Sequence, residues 1–333
     1  MIKILFISKK SNPLIDLFSG YSKSNIEMHS IDDIDGIKGH YSFEVVIVDE
    51  SKTQIDPSMI PGCKYLQLTD GVRADIDVEA FNKVGITVLS AAPILAKSVA
   101  SRTVGMMGVL SDPKGPRGVV ENDSIVGYLE DTTAWRRLSE LKIGIIGYGT
   151  VGRAVAELLT SHSVEVTYTD LRNVQGSNQI RNKIRRASLD QLISRSDVIS
   201  LHVPHGPTAN PLIGKRELSL FSKQSILINT SDKRVICEEG VLTALQTGAL
   251  GGLGGDFIFS QSYGINQSLI KLPNIVVTSN PNDRSKIEDC KLANYIAHNI
   301  KLITAGDEPE GIIKVTQFPK LGDPAFWSSD LTS

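Results

Sequence analysis

The chain has 333 residues, enough for about two domains of roughly 150 residues each. Apolar residues make up 41% and charged residues 22%, a globular composition that argues against disorder. The 35 basic and 37 acidic residues give a net charge of −2, so no nucleic-acid or anionic-membrane partner is expected. The three cysteines are far apart, which argues against a disulfide framework and a metal site. No apolar run is long enough for a membrane span or a signal peptide, so we expect a cytoplasmic protein.

Short apolar runs along the chain predict β-strands. They are rich in Ile and Val and almost continuously hydrophobic, as expected of parallel strands covered on both faces. The predicted strands are Ile2–Ser8, Phe43–Asp49, Lys64–Leu68, Ile86–Ser90, Leu141–Gly147, Val164–Thr169, Asp197–His202, Ser225–Asn229 and Asn274–Thr278.

Segments with helical periodicity lie between these strands. The predicted helices are Asp77–Lys83, Leu95–Leu110, Thr150–Ser161, Leu189–Ser194, Glu238–Thr247 and Ile287–Thr304. Strands that alternate with helices predict an α/β fold with doubly wound parallel sheets.

Two segments do not fit this alternation of strands and helices. Ser111–Leu138 is rich in Pro and Gly and is expected to be a surface excursion, and Thr316–Ser333 is expected to be a tail packed on the body or a partner-binding arm.

The strongest motif is a glycine-rich turn between a strand and a helix. Gly147, Gly149 and Gly152 form the pattern G-x-G-x-x-G. The first glycine permits the tight turn, the second lets the backbone approach a pyrophosphate, and the third lets the helix pack closely on the strand. We expect the helix N-terminus to face the phosphates of a dinucleotide. The predicted cofactor-binding residues of this turn are Gly147, Tyr148, Gly149, Thr150, Val151 and Gly152.

An acidic residue ends the strand that follows. Asp170 stands 18 residues after Gly152, where a carboxylate accepts both ribose hydroxyls of NAD and repels the 2′-phosphate of NADP. Leu171 and Arg172 are assigned to the same subsite, although an arginine at position 172 could instead pair with that phosphate. The alternative interpretation is a purely structural glycine turn with Asp170 as a simple cap.

Several further segments match one enzyme family. They include Ser196–Pro204, Ile226–Thr230 and Asn274–Thr278, and with the glycine turn they make the chain resemble the D-isomer-specific 2-hydroxyacid dehydrogenases. The resemblance implies two Rossmann-like domains. An NAD-binding domain of residues 99–285 would be inserted into a discontinuous substrate domain of residues 1–98 and 286–333. It also implies an active site in the cleft, a homodimer, NAD as cofactor, and further cofactor contacts from Val203, Pro204, Thr230 and Asp256.

The positions that carry catalysis in that family are substituted. Family members use an arginine that clamps the substrate carboxylate, a histidine that transfers the proton, and a glutamate that holds the histidine protonated. Here Asp232 stands where the arginine belongs, Asn280 where the histidine belongs, and Gln261 where the glutamate belongs. In an alternative register, Lys233 or Arg234 takes the place of the arginine.

Other residues are weaker candidates for chemistry. His205 lies in the loop expected near the nicotinamide ribose and is a candidate for proton transfer, with a structural role as the alternative. Arg73 could supply the missing cation or be a solvated surface residue, and Lys97 and Arg102 are further cations near the crossover between domains. We expect His202 to be a structural imidazole.

The glycine run Gly251–Gly255 leads into Asp256 and has two interpretations. It either opens room for a larger ligand or permits close backbone packing.

Two principal functions are compatible with these residues. The first is an NAD-dependent oxidoreductase whose small-molecule substrate is neutral or cationic. The second is an NAD-binding protein without redox turnover, such as a sensor or scaffold, and a non-redox enzyme that uses bound NAD is a third possibility. Because Asp232 has the wrong charge for a carboxylate, and because neither Gln261 nor Asn280 titrates near neutral pH, we expect negligible activity with simple 2-keto acids.

Overall fold

The computed structural model describes residues 2–8, 14, 16, 26–31, 42–49, 55–69, 76–120, 125, 132–171, 183–203, 211–231, 233–256, 267–278 and 286–313. Strands within these ranges are β1 (Ile2–Ile7), β2 (Ile26–Ile31), β3 (Val45–Val48), β4 (Tyr65–Leu68), β5 (Thr87–Ser90), β6 (Gly118–Val120), β7 (Ile143–Ile146), β8 (Val166–Thr169), β9 (Ile184–Arg186), β10 (Val198–Leu201), β11 (Ser225–Asn229), β12 (Leu250–Gly255) and β13 (Ile275–Thr278). The α-helices are α1 (Val78–Lys83), α2 (Ala92–Ser111), α3 (Thr132–Ser139), α4 (Thr150–Ser161), α5 (Leu189–Arg195), α6 (Lys215–Leu218), α7 (Glu238–Gln246), α8 (Gln267–Ile270) and α9 (Lys286–Ala305).

The chain divides into two compact units. Among the described residues, the first unit contains those up to Leu95 and those from 286 to 313, and the second contains those from Ala96 to 278. The first boundary, after Leu95, differs by three residues from the one that the sequence predicts, after residue 98, and the second predicted boundary, after residue 285, falls between the described residues 278 and 286. The first unit is therefore built from two separate segments of the chain.

The first unit is a five-stranded parallel sheet in the order β2-β1-β3-β4-β5. Alternate residues of β1 enter different cores, because successive side chains of a strand point to opposite faces. Leu5 and Ile7 belong to the core that contains Phe81 of α1, whereas Ile4 and Phe6 belong to the core that contains Ile296 of α9. Burial on both faces explains why these strands are hydrophobic throughout.

The second unit is an eight-stranded parallel sheet in the order β6-β13-β12-β11-β10-β7-β8-β9. One core includes Val104 of α2 and Val155 of α4, and the other includes Leu192 of α5 and Val241 of α7. The predicted fold class, α/β with two doubly wound Rossmann-like sheets, is confirmed.

The structure differs from the surface excursion predicted for residues 111–138. This segment contains β6, which pairs in parallel with β13, so the prediction of a surface excursion is wrong there. Ile125, Ala134 and Leu138 are buried, because this segment helps to cover the sheet. The predicted tail, residues 316–333, lies outside the described residues.

The glycines of β12 allow α2 to pack directly on the backbone of this strand. A Cβ atom on Gly254 would lie 2.6 Å from Ile228 Cδ1 and 3.3 Å from Met106 Cβ. A Cβ atom on Gly252 would lie 3.1 Å from Leu110 Cδ2. These contacts favour close packing as the reason for the glycine run. Among the described helices, none is long and apolar enough to cross a membrane.

Candidate functional site

The strand order of the second unit locates a candidate site. From β7 the chain winds first to β8 and β9 on one side and then returns to β10, β11 and β12 on the other. In open parallel sheets, ligands bind beyond the carboxyl ends of the strands where this order reverses. The reversal lies between β7 and β10, so the residues that follow these two strands define the centre of the site.

The first glycine of the motif directly follows β7 and is required for two reasons. Gly147 has a φ of +93°, a backbone conformation that side chains with a Cβ rarely adopt. A Cβ atom at this position would also lie 2.4 Å from the carbonyl oxygen of His202, which follows β10. The backbones of the two central strands therefore approach each other at the turn.

The third glycine lets α4 begin directly against this turn. A Cβ atom on Gly152 would lie only 2.0 Å from the carbonyl oxygen of Gly147. Gly149 is the N-cap residue of α4 and makes no side-chain capping hydrogen bond. The first N–H groups of a helix have no partners within the helix, and an anion can satisfy them. Thr150 and Val151 open the helix directly after this turn.

Asp170 lies at the carboxyl end of β8 and is 6% exposed. Its Oδ2 accepts a hydrogen bond from the Tyr148 N–H at 2.7 Å, so the carboxylate holds the glycine turn against β8. The rings of Tyr148 and Tyr168 stack with centroids 4.1 Å apart. Burial raises the pKa of both phenols, so both remain neutral at physiological pH.

Arg186 is a residue of this region that sequence reasoning missed. It stands opposite Tyr168 in β9, and its Nη2 donates to the Asp170 carbonyl oxygen at 2.7 Å. Its Nε is buried and has no hydrogen-bond partner within the described part of the chain. Sixteen residues separate Arg186 from Asp170, and no short motif marks it. Arg172, the cation that the sequence singled out here, lies outside the described residues.

A second group of polar side chains follows β10 to β13. Asp256 comes directly after β12, and its carboxylate accepts hydrogen bonds from Arg102 of α2 and from Thr278 at the end of β13. His202 and Val203 follow β10, and Thr230 follows β11. The sequence-predicted residues at 203, 230 and 256 therefore meet at one edge of the sheet.

A chain of hydrogen bonds fixes the tautomer of His202. Thr103 donates its hydroxyl proton to the Val99 carbonyl at 2.8 Å, so its oxygen accepts from Thr230 at 3.0 Å. Thr230 has then used its only proton and accepts from His202 Nδ1–H at 3.4 Å. His202 Nε2 is left with a lone pair, which accepts from the Ser200 hydroxyl at 3.1 Å.

Burial of the ring lowers the pKa of His202 to about 3, so the imidazole is neutral near pH 7. This agrees with the structural role expected from the sequence. A neutral imidazole with both nitrogens occupied is a poor proton donor for catalysis.

Several predicted residues lie outside the described part of the chain. They are Arg73, Arg172, Pro204, His205, Asp232, Gln261 and Asn280. On one side of position 232, Asn229 Oδ1 accepts from both the backbone N–H and the hydroxyl of Ser231, at 3.0 and 2.7 Å. Within the described ranges, no group of three or more His, Cys, Asp or Glu residues has the arrangement of a metal site.

Comparison with known proteins identifies the larger part of the second unit. Residues 120–280 match the NAD-binding domain of the D-isomer specific 2-hydroxyacid dehydrogenases. A glyoxylate reductase of Thermofilum pendens is 27% identical over 245 residues, which cover 72% of this chain and 71% of that protein. A glycerate dehydrogenase of Methylorubrum extorquens is 25% identical over 280 residues, which cover 81% of this chain and 85% of that protein.

Solved structures share the fold. An acyclic imino acid reductase in complex with NADPH and D-Arg has a TM-score of 0.73 at 21% identity, and the match covers 94% of this chain and all of that one. A D-lactate dehydrogenase from Aquifex aeolicus, complexed with NAD and lactic acid, has a TM-score of 0.72 at 21% identity, and the match covers 91% of this chain and 96% of that one. The expected cofactor, NAD, is confirmed. Residues 120–280 of this chain are thus similar to the NAD-binding domain of the D-isomer specific 2-hydroxyacid dehydrogenases.

Proposed function

We propose that the protein is an NAD-dependent oxidoreductase whose substrate-binding site differs from that of the family and takes a substrate other than a simple 2-keto acid. One contrast carries the proposal. The glycine turn and the carboxylate that follows β8 keep the arrangement that NAD needs, whereas the three positions that should act on the substrate carry other side chains. The family resemblance further supports a homodimer, and we propose a cytoplasmic location on the basis of the sequence.

The proposal gives the chain's own residues distinct roles toward the cofactor. The N–H groups at the start of α4 would hold the phosphates, and Asp170 would accept ribose hydroxyls while it holds the glycine turn. Asp256 and Thr230 would face the second nucleoside. The remaining assigned contacts are Leu171, Arg172, Val203 and Pro204. When bound, the nicotinamide ring supplies or accepts the hydride.

The charges at the substituted positions disfavour a 2-keto acid. Such a substrate needs a cation for its carboxylate and a proton donor for the alkoxide that forms at its keto oxygen. Asp232 would repel the carboxylate, and neither Gln261 nor Asn280 can donate a proton as an acid near neutral pH. His202 is neutral, so it does not replace the missing acid.

An iminium ion would suit the same positions. Its carbon takes the hydride, the electron pair of the C=N double bond moves to nitrogen, and that nitrogen already carries its proton. The products are an amine and oxidised cofactor, so charge balances and the protein supplies no proton. Asp232 would then attract the substrate. One structural neighbour is an acyclic imino acid reductase, which supports this substrate class.

A second candidate is an NAD-binding protein without redox turnover. It is favoured by the loss of all three catalytic side-chain types in one sequence, since an enzyme that only changed its substrate could have kept an acid. The two candidates share the cofactor site and differ only in turnover.

A single assay separates the two candidates. Purified protein is expected to bind NADH and to oxidise it when a ketone without a carboxylate, such as cyclohexanone, is mixed with methylamine, which forms the iminium ion, but not with pyruvate or glyoxylate alone. NADH absorbance measures turnover, and NADH fluorescence measures binding. The matched control replaces methylamine with sodium chloride at the same ionic strength.

The outcomes of this assay differ clearly. Binding without turnover in either mixture would favour the non-redox candidate. Turnover near a typical ~10 s⁻¹ with the keto acid alone would contradict the proposal.

Asp170 is expected to determine the preference for NADH over NADPH. Asp170→Ala removes the acceptor for Tyr148 N–H as well as the charge, so it should weaken NADH binding about 10- to 100-fold. Asp170→Asn keeps an acceptor for that N–H but removes the charge that repels a 2′-phosphate. It should therefore reduce the preference for NADH with a smaller loss of NADH affinity. Calorimetric titration of both variants with both cofactors measures this. Wild-type protein that bound NADPH as tightly as NADH would contradict the assignment.

A further inference from the structure

A buried ion pair lies at the carboxyl end of β12. Arg102 Nε and Nη2 both donate to Asp256 Oδ2, at 3.3 and 3.2 Å. The side chains are 11% and 7% exposed, and the remaining Arg102 nitrogen, Nη1, donates to the Ser98 hydroxyl at 3.1 Å. Thr278 donates to Asp256 Oδ1 at 3.0 Å. Each charged group is therefore matched by a partner of opposite charge or by a hydroxyl.

The pair lies on the half of the fold that meets the second nucleoside of a dinucleotide. The glycine turn and Asp170 follow β7 and β8, on the first side of the strand reversal. Asp256 follows β12, on the other side. A dinucleotide spans the reversal, so its nicotinamide end extends toward β10, β11 and β12.

We propose that Arg102 is a positioning residue that neutralises Asp256 and thereby sets the relative affinity of the protein for NAD⁺ and NADH. The inference rests on the proposed cofactor site. The nicotinamide ring carries a positive charge in NAD⁺ and none in NADH, so a nearby net charge acts on one redox form only. The neutral pair favours neither form. An unpaired Asp256 would favour NAD⁺, and an unpaired Arg102 would disfavour it.

Two opposite substitutions test this role. In Arg102→Met the carboxylate of Asp256 is unpaired, and in Asp256→Asn the guanidinium of Arg102 is unpaired. The ratio of Kd for NAD⁺ to Kd for NADH is expected to fall in the first variant and to rise in the second. A unit charge within ~12 Å of the ring, at an effective dielectric of ~20, changes this ratio by about tenfold. In Arg102→Met/Asp256→Asn, which has neither charge, the ratio should return close to that of the wild type.

The measurements use NADH fluorescence and competition by NAD⁺ at pH 8.5. Arg195→Met is the matched control, because it removes one positive charge from an exposed position at the end of α5 and should leave the ratio unchanged. A purely structural role would weaken the binding of both redox forms equally in both single variants. That result, or ratios that shift in the same direction, would overturn the inference. Wild-type protein that binds neither form would instead overturn the proposed cofactor site.

Discussion

The triple variant Asp232→Arg/Gln261→Glu/Asn280→His is expected to reduce glyoxylate or hydroxypyruvate with NADH at least 100-fold faster than the wild-type protein, whose activity should be negligible. The three changes together supply a cation for the substrate carboxylate, a proton donor, and a carboxylate that holds the donor protonated. A positioned acid or base contributes about 10²–10⁴ in rate. The measurement is initial velocity with each keto acid at saturating NADH.

The single variants are the controls for this prediction. Asp232→Arg alone adds the clamp without the acid, and Asn280→His alone adds an imidazole with no carboxylate to hold its proton. Neither should restore activity, whereas NADH affinity should be similar in all four proteins. A wild-type protein that is already active would mean that other groups, such as Arg73, His205, Lys233 or Arg234, do the chemistry. A triple variant that reduces keto acids no faster than the wild type would mean that the shape of the substrate-binding site differs from that of the family, as well as its charges.

His202 is expected to make the protein less stable as the pH falls below about 6.5. The pKa of its ring is lowered to about 3 in the folded protein, whereas an unfolded histidine titrates near 6.5. Between these values the unfolded state binds more protons than the folded state, so acid favours unfolding. The free energy of unfolding should therefore decrease by up to ~1.4 kcal/mol for each pH unit, and by about 1.6 kcal/mol in total between pH 6.5 and 5.

Urea unfolding at pH 7.5, 6.5 and 5 measures this effect. His202→Gln cannot take up a proton and should have a shallower dependence on pH than the wild type. His162→Gln is the matched control, because it makes the same substitution at an exposed histidine at the end of α4. Equal slopes in the wild type and in His202→Gln would show that His202 is protonated without cost in the folded state.

The strands that the sequence predicts correctly are buried on both faces. Such strands are hydrophobic throughout, and β1, β7 and β11 stand out for this reason. The strands that it misses lack the pattern for physical reasons. β2, β6 and β9 are edge strands, and β2 and β9 carry charged residues. β12 contains four glycines in six residues; Gly252 and Gly254 lie against α2, and Gly251 lies against the backbone of Gln224.

The candidate site likewise has a part that the sequence predicts and a part that it does not. The glycine turn is local in sequence, since Gly147, Gly149 and Gly152 act within one strand–helix junction, and its geometry could be anticipated from spacing alone. The pairing of Arg102 with Asp256 joins residues 154 positions apart, on a helix and at a strand end, so no spacing rule reveals it. The tautomer of His202 depends on two threonines from separate elements and likewise required the packed structure.

The glycine strand β12 links the interior of the second unit to the charge at its edge. Met106 and Leu110 rest on this strand, and Arg102 lies one helical turn before Met106 on the same helix. A methyl group added at Gly254 would displace the Ile228 side chain and would require Met106 and Leu110 of α2 to move by a few tenths of an ångström. The packing of α2 on this strand and the ion pair at the end of the strand therefore depend on the same helix.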